Sequence, residues 1–94
     1  MANWQYKINL GKILDEADEE TPEAVLECAK KIQAEIDTLP HSGRLFLNAP
    51  YKLVQQTKKA IDAGFDYDEV CDIFNGHLSM IYDLADENRV WVNG

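Results

Sequence analysis

The chain has 94 residues, with 17 Asp and Glu against 9 Lys and Arg and a formal charge of −8. Apolar residues make up 46% of it and aromatics 10%, the balance of one globular domain over 1–94 rather than of a disordered chain, which is poor in aromatics. No apolar run approaches the ~20 residues that cross a bilayer, and the acidity disfavours nonspecific attachment to nucleic acid or to an anionic membrane.

Trp4, Tyr6, Ile8 and Leu10 alternate with Gln5, Lys7 and Asn9, the period of a half-buried strand, which Gly11 closes. Residues 12–18 have the spacing of one short helical turn, with Ile13, Leu14 and Ala17 facing inward. Thr21-Pro22 is a helix start: a hydroxyl N-cap followed by Pro at the first helical position, where its missing N–H costs nothing. Glu19, Glu20 and Glu23 surround that end, where the helix dipole favours negative charge. Val25, Ala29, Ile32, Ile36 and Leu39 then mark the buried face of a helix over about 22–38, with Glu27 and Lys31 an i,i+4 pair on its outer side.

Pro40, Ser42 and Gly43 end that helix. Leu45-Phe46-Leu47 is compatible with a strand, a turn of helix or a buried loop. Pro50 opens the next helix, whose face reads Leu53, Val54, Thr57, Ala60 and Ile61, and Gly64 suits the C′ position. Asp66 with Glu69 has capping-box spacing. The last helix, about 67–86, places Val70, Ile73, Phe74, His77, Leu78, Met80, Ile81, Leu84 and Ala85 on an arc of roughly 160°. So wide an apolar arc implies contact with more than one neighbour. Asn88 ends the helix, and Arg89 to Val92 reads as a terminal strand. The expected fold is α+β, ordered β-α-α-α-β, with three helices packed on a small antiparallel sheet formed by the N- and C-terminal strands. Its free edges invite a homodimer.

Candidate chemistry is sparse. Cys28 and Cys71 are in neither Cys-x-x-Cys nor zinc-finger spacing and read as free thiols of a reducing, cytoplasmic compartment. The opening residues lack the basic and apolar regions of a secretory signal, in keeping with that compartment. His77 falls mid-way along an apolar face, where a hydrogen-bonded core imidazole is the default and a pH-sensitive group the alternative. Asp66, Asp68, Glu69 and Asp72 do not make a calcium loop, because Val70 and Cys71 occupy its fifth and sixth positions. Ser42 and Ser79 have no nucleophile elbow, His41 lies in a turn, and no phosphate-binding glycine loop is present. No catalytic residue, cofactor or metal is expected.

What remains is contact. Trp4, Tyr6 and Trp91 on the strands are residue types enriched at protein interfaces, and Asp68, Asp72, Asp83 and Asp86 form the outward stripe of the last helix. A regular acidic array would suit a mimic of DNA, whose duplex carries one charge per ~1.7 Å. Asp72 and Asp83, however, are roughly 16 Å apart along a helix, with uncharged Asn75 and Ser79 between them.

The stretch Ile81-Tyr82-Asp83-Leu84-Ala85-Asp86-Glu87-Asn88-Arg89-Val90-Trp91-Val92 resembles the ending of a group of small bacterial and phage proteins, and Trp4 to Leu10 resembles their opening strand. The resemblance covers about a fifth of the chain and implies a prokaryotic or phage setting, with no activity to carry over. The function expected from all of this is that of a noncatalytic acidic protein acting through contact with a protein partner, as an accessory regulator or inhibitor. It would bind neither nucleic acid directly nor a membrane. A DNA mimic that inhibits a nucleic-acid-binding enzyme and a small enzyme of unfamiliar type are the alternatives.

Overall fold

The computed structural model describes residues 4–93. In chain order the elements are β1 (Tyr6–Asn9), α1 (Gly11–Asp15), α2 (Pro22–Asp37), α3 (Ser42–Phe46), α4 (Ala49–Asp62), α5 (Tyr67–Glu87) and β2 (Val90–Asn93). The long helices start and stop where side-chain chemistry satisfies their exposed ends. Thr21 accepts the Ala24 N–H on its hydroxyl at 3.2 Å, ahead of Pro22 at the first turn of α2. At the start of α5 the capping box closes both ways: Glu69 N–H donates to Asp66 Oδ1 at 2.9 Å, and Asp66 N–H to Glu69 Oε1 at 3.2 Å. Helix α4 ends in a Schellman turn, with Phe65 N–H on the Ala60 carbonyl, Gly64 N–H on that of Ile61, and Gly64 at φ 82.

Helix α4 packs against both α2 and α5, which also touch each other. Between them lies the core: Ile32 and Ile36 from α2, Leu53 from α4, Val70 and Ile81 from α5, all fully buried. Thr57 is the one buried polar side chain among the described residues, and it donates its hydroxyl to the Leu53 carbonyl at 2.7 Å. The arc expected on α5 is wider than the face that is buried. Val70, Phe74, Leu78, Ile81 and Ala85 are inside, Ile73, His77 and Leu84 are half-buried, and Met80 is exposed. His77 therefore lies at the rim of the core and not in it. On α1, Ile13 and Leu14 are half-buried and Ala17, beyond the helix, is exposed.

The segment that reads ambiguously in sequence is a second short helical turn, α3, set between left-handed residues His41 (φ 60), Leu47 (φ 48) and Asn48 (φ 65). None of the three is a glycine, so each left-handed residue costs about 1 kcal/mol. Two tertiary contacts hold the turn in place. Phe46 is fully buried, and Asn88 at the end of α5 donates to the carbonyls of Leu45 (2.8 Å) and Leu84 (2.9 Å).

The expected sheet and helix count are overturned. Five helices form, because residues 11–15 and 42–46 each close a turn of their own, and the two strands pair in parallel, with Tyr6 beside Val90 and Asn9 beside Asn93. Alternation settles which side chains face the helices, and it does so here: Ile8 and Val90 are buried, Lys7 and Trp91 exposed. It is silent on chain direction. A connection through residues 10–89 is long enough for either direction, so direction is decided by how the intervening helices stack, which no local pattern carries.

Candidate interaction surface

On the outward side of the sheet, Lys7 and Trp91 are register partners. Strict alternation would send Trp4 inward with Tyr6 and Ile8, but β1 begins only at Tyr6 and Trp4 leaves the pattern. Its ring meets that of Trp91 edge to face, centroids 5.4 Å apart and planes at 71°. Trp4 is half-buried and Trp91 remains 45% exposed, so neither belongs to the core. Tyr6 is half-buried and packs against the core, which makes it a support for this surface more than a part of it.

The two edges of the sheet differ. On β1, Leu10 N–H reaches Asn93, while Asn9 N–H turns to the Glu35 carboxylate of α2 at 3.4 Å. The carbonyls of Arg89, just before β2, and of Asn93 at its end accept from the N–H groups of Gln5 and Leu10, which flank β1. Alternation aims the main-chain groups of Val90 and Val92 away from β1, and Val90 is covered there, only 2% exposed, while Val92 is half-buried. Where the sheet meets α5 there is a recess of about 160 Å³, lined by Tyr82, Ala85 and Asp86 of α5, by Val90 to Val92, and by Trp4. Tyr82 and Val92, which line it, draw no attention in sequence.

Charge divides the molecule in the same place. All 17 carboxylate side chains lie between Asp15 and Glu87, whereas Lys7, Lys12 and Arg89 lie outside that span. Asp68, Asp72, Asp83 and Asp86 are exposed on α5, which carries six carboxylates and no Lys or Arg. The one ion pair among the described residues is Lys30 with Glu27 at 3.8 Å, one residue closer in sequence than the expected Lys31. The strands themselves thus carry no carboxylate, while Glu35 reaches the backbone of Asn9, Asp15 and Glu16 lie near Asn9 and Asn93, and Asp86 lies beside the Trp pair.

The remaining candidates are separate from this end. Cys28 and Cys71 are free and line one recess of about 270 Å³ between α2, α5 and the Leu14–Glu19 stretch. Burial pushes the Cys28 thiol above its ordinary range, with nearby Lys31 opposing weakly, which is the reverse of what a reactive thiolate needs. Tyr82 is raised as well, first by burial and then by Cys28. The Tyr67 hydroxyl is raised chiefly by its hydrogen bond with Cys71. No group of three or more His, Cys, Asp or Glu among the described residues is placed to hold a metal ion, and no described helix is long and apolar enough to cross a membrane. Comparison with protein-family models, with curated proteins and with solved structures finds no match to this chain.

Proposed function

We propose that this is a noncatalytic protein that acts by binding another protein through its sheet end, as an accessory regulator or inhibitor in a cytoplasmic, prokaryotic or phage setting. The observation that carries this reading is the Trp4–Trp91 pair. Large aromatic rings stand on the outward side of a two-stranded sheet, where folding alone gives them little to bury. The acidic helix supports a DNA mimic less well. Its six exposed carboxylates stand in two groups, Asp68, Glu69 and Asp72 and then Asp83, Asp86 and Glu87, and the roughly 16 Å between Asp72 and Asp83 has no counterpart in the even charge of a duplex.

The test is a tagged pull-down from host lysate at low and high salt, comparing the native chain with Trp91→Ala. A partner that survives high salt and is lost with Trp91→Ala supports the reading. Capture of a nucleic-acid-binding enzyme that is released by salt and indifferent to Trp91 would replace it with the mimic.

A further inference from the structure

We infer that the recess between the tryptophan pair and α5 is a binding site for a methylated ammonium group. This deepens the reading of the sheet end as the contact surface and rests on it for the protein that would carry the group. Three aromatic side chains, Trp4, Trp91 and Tyr82, line the recess together with a single carboxylate, Asp86. The face of an aromatic ring is its negative part, and a cation held within about 6 Å of the ring centre is attracted to it. Stacked indoles would hide a face of each ring. The edge-to-face arrangement, with planes at 71°, leaves the ring that offers its edge with both faces clear of its partner, and the two rings stand as the walls of a corner.

The rest of the lining selects the cation. Neither Lys7 nor Arg89 lines the recess, so the one formal charge on its wall is that of Asp86. The chain's net charge of −8 also raises the concentration of cations around it. A bare ammonium carries three N–H donors that all need acceptors, and Asp86 and Tyr82 are the only side chains of the lining with an oxygen to offer. Methyl groups need no acceptor and have Ala85, Val90 and Val92 to lie against. The volume of about 160 Å³ is below the roughly 300–1,000 Å³ of sites for drug-sized ligands, and it suits a compact head group.

The experiment titrates the full chain with tetramethylammonium and with N-acetyl-lysine amide in its trimethylated and unmethylated forms. The control is an uncharged analogue of the trimethylated form, with carbon in place of the quaternary nitrogen. Trp4 and Trp91 are the only tryptophans of the chain, so intrinsic fluorescence and the indole N–H signals in NMR report on this recess. The trimethylated compound is expected to shift both indoles and to bind roughly three- to thirtyfold more tightly than its uncharged analogue, the range of a cation–π contact. Trp91→Ala should remove most of the binding. Asp86→Asn should weaken it about two- to fivefold, as loss of one exposed charge does. Because Asp86 is exposed, that variant keeps the fold and tests the site where the loss of Trp91 might be read as a loss of structure.

Equal affinity for the uncharged analogue or for unmethylated lysine overturns the inference, as does binding that leaves both indole signals in place. Competition separates the two sources of the group. If tetramethylammonium that saturates the recess releases a captured partner, the partner presents the group on a methylated side chain. If the titration succeeds and capture persists, the site serves a free small molecule. Where Trp91→Ala abolishes capture but no ammonium binds, the contact surface stands and this inference falls. Where the titration succeeds and Trp91→Ala leaves capture intact, the ammonium site stands and the contact surface falls.

Discussion

The helical body and the two-stranded sheet are held by different means. In the body, α2, α4 and α5 bury one face each against the other two, and the helix ends are closed by Thr21, by the Asp66–Glu69 box and by the turn at Gly64. Removal of any one contact leaves many others. The sheet has four residues per strand and one neighbour for each, a size that is marginal in water without support. Its inner side chains, Ile8 and Val90, join the common core, and its outer ones do not. Stability is concentrated in the helices, and the outer side of the sheet stays exposed at Lys7 and Trp91.

The largest effect should come from the body. Ile81→Ala removes a fully buried side chain at the centre of α5 and is expected to cost about 2–5 kcal/mol, measured as a shift in the urea midpoint. A cost below about 1 kcal/mol would mean that α5 is not the central helix and would break the comparison. Next is Asp66→Ala, which removes the acceptor for the Glu69 N–H and should cost about 1 kcal/mol. Trp91→Ala should be the mildest for stability, about 0.5–1.5 kcal/mol from the lost ring contact with Trp4, while partner capture is lost. A large loss of stability there would show that the Trp pair is structural.

A fourth measurement sharpens the same contrast through pH. Because burial raises the Cys28 thiol, the folded chain keeps a proton that the unfolded chain releases. Stability is intact below the unfolded thiol's pKa of about 8.5 and declines as pH rises from there through the folded value. Tyr82 acts in the same sense further up the alkaline range. The urea midpoint should therefore fall between neutral and alkaline pH, and Cys28→Ala should reduce the fall. Cys71, which is half-buried where Cys28 is buried, should be alkylated by iodoacetamide before Cys28 in the native protein.

The legible parts of this fold are those set by neighbours in sequence. Thr21-Pro22, Asp66 with Glu69, and Gly64 each act within one turn, and α2, α4 and α5 begin or end where those residues say. The period-two strands were legible for the same reason. The direction of the sheet was not, because it is fixed by how helices between residues 10 and 89 stack. Nor was α3, whose left-handed flanks at His41, Leu47 and Asn48 lack the glycine that would announce them and depend on Phe46 and Asn88 instead. Of the surface, Trp91 could be picked out by residue type. That Trp4 abandons the alternation to meet it, and that Tyr82 and Val92 line the neighbouring recess, are facts of packing. Asp68, Asp72, Asp83 and Asp86 lie on the outward stripe read from the sequence, and the structure brings only Asp86 to the Trp pair.

The parallel register of β1 and β2 also determines how the protein bears load. Tension applied through residues 4 and 93 would drag the two strands in opposite directions along their length, because one is held at its start and the other at its finish. The rungs between them are then strained together, in shear, rather than opened one after another like a zipper. A ladder of only four register pairs would act as a mechanical clasp on the helices enclosed between its strands.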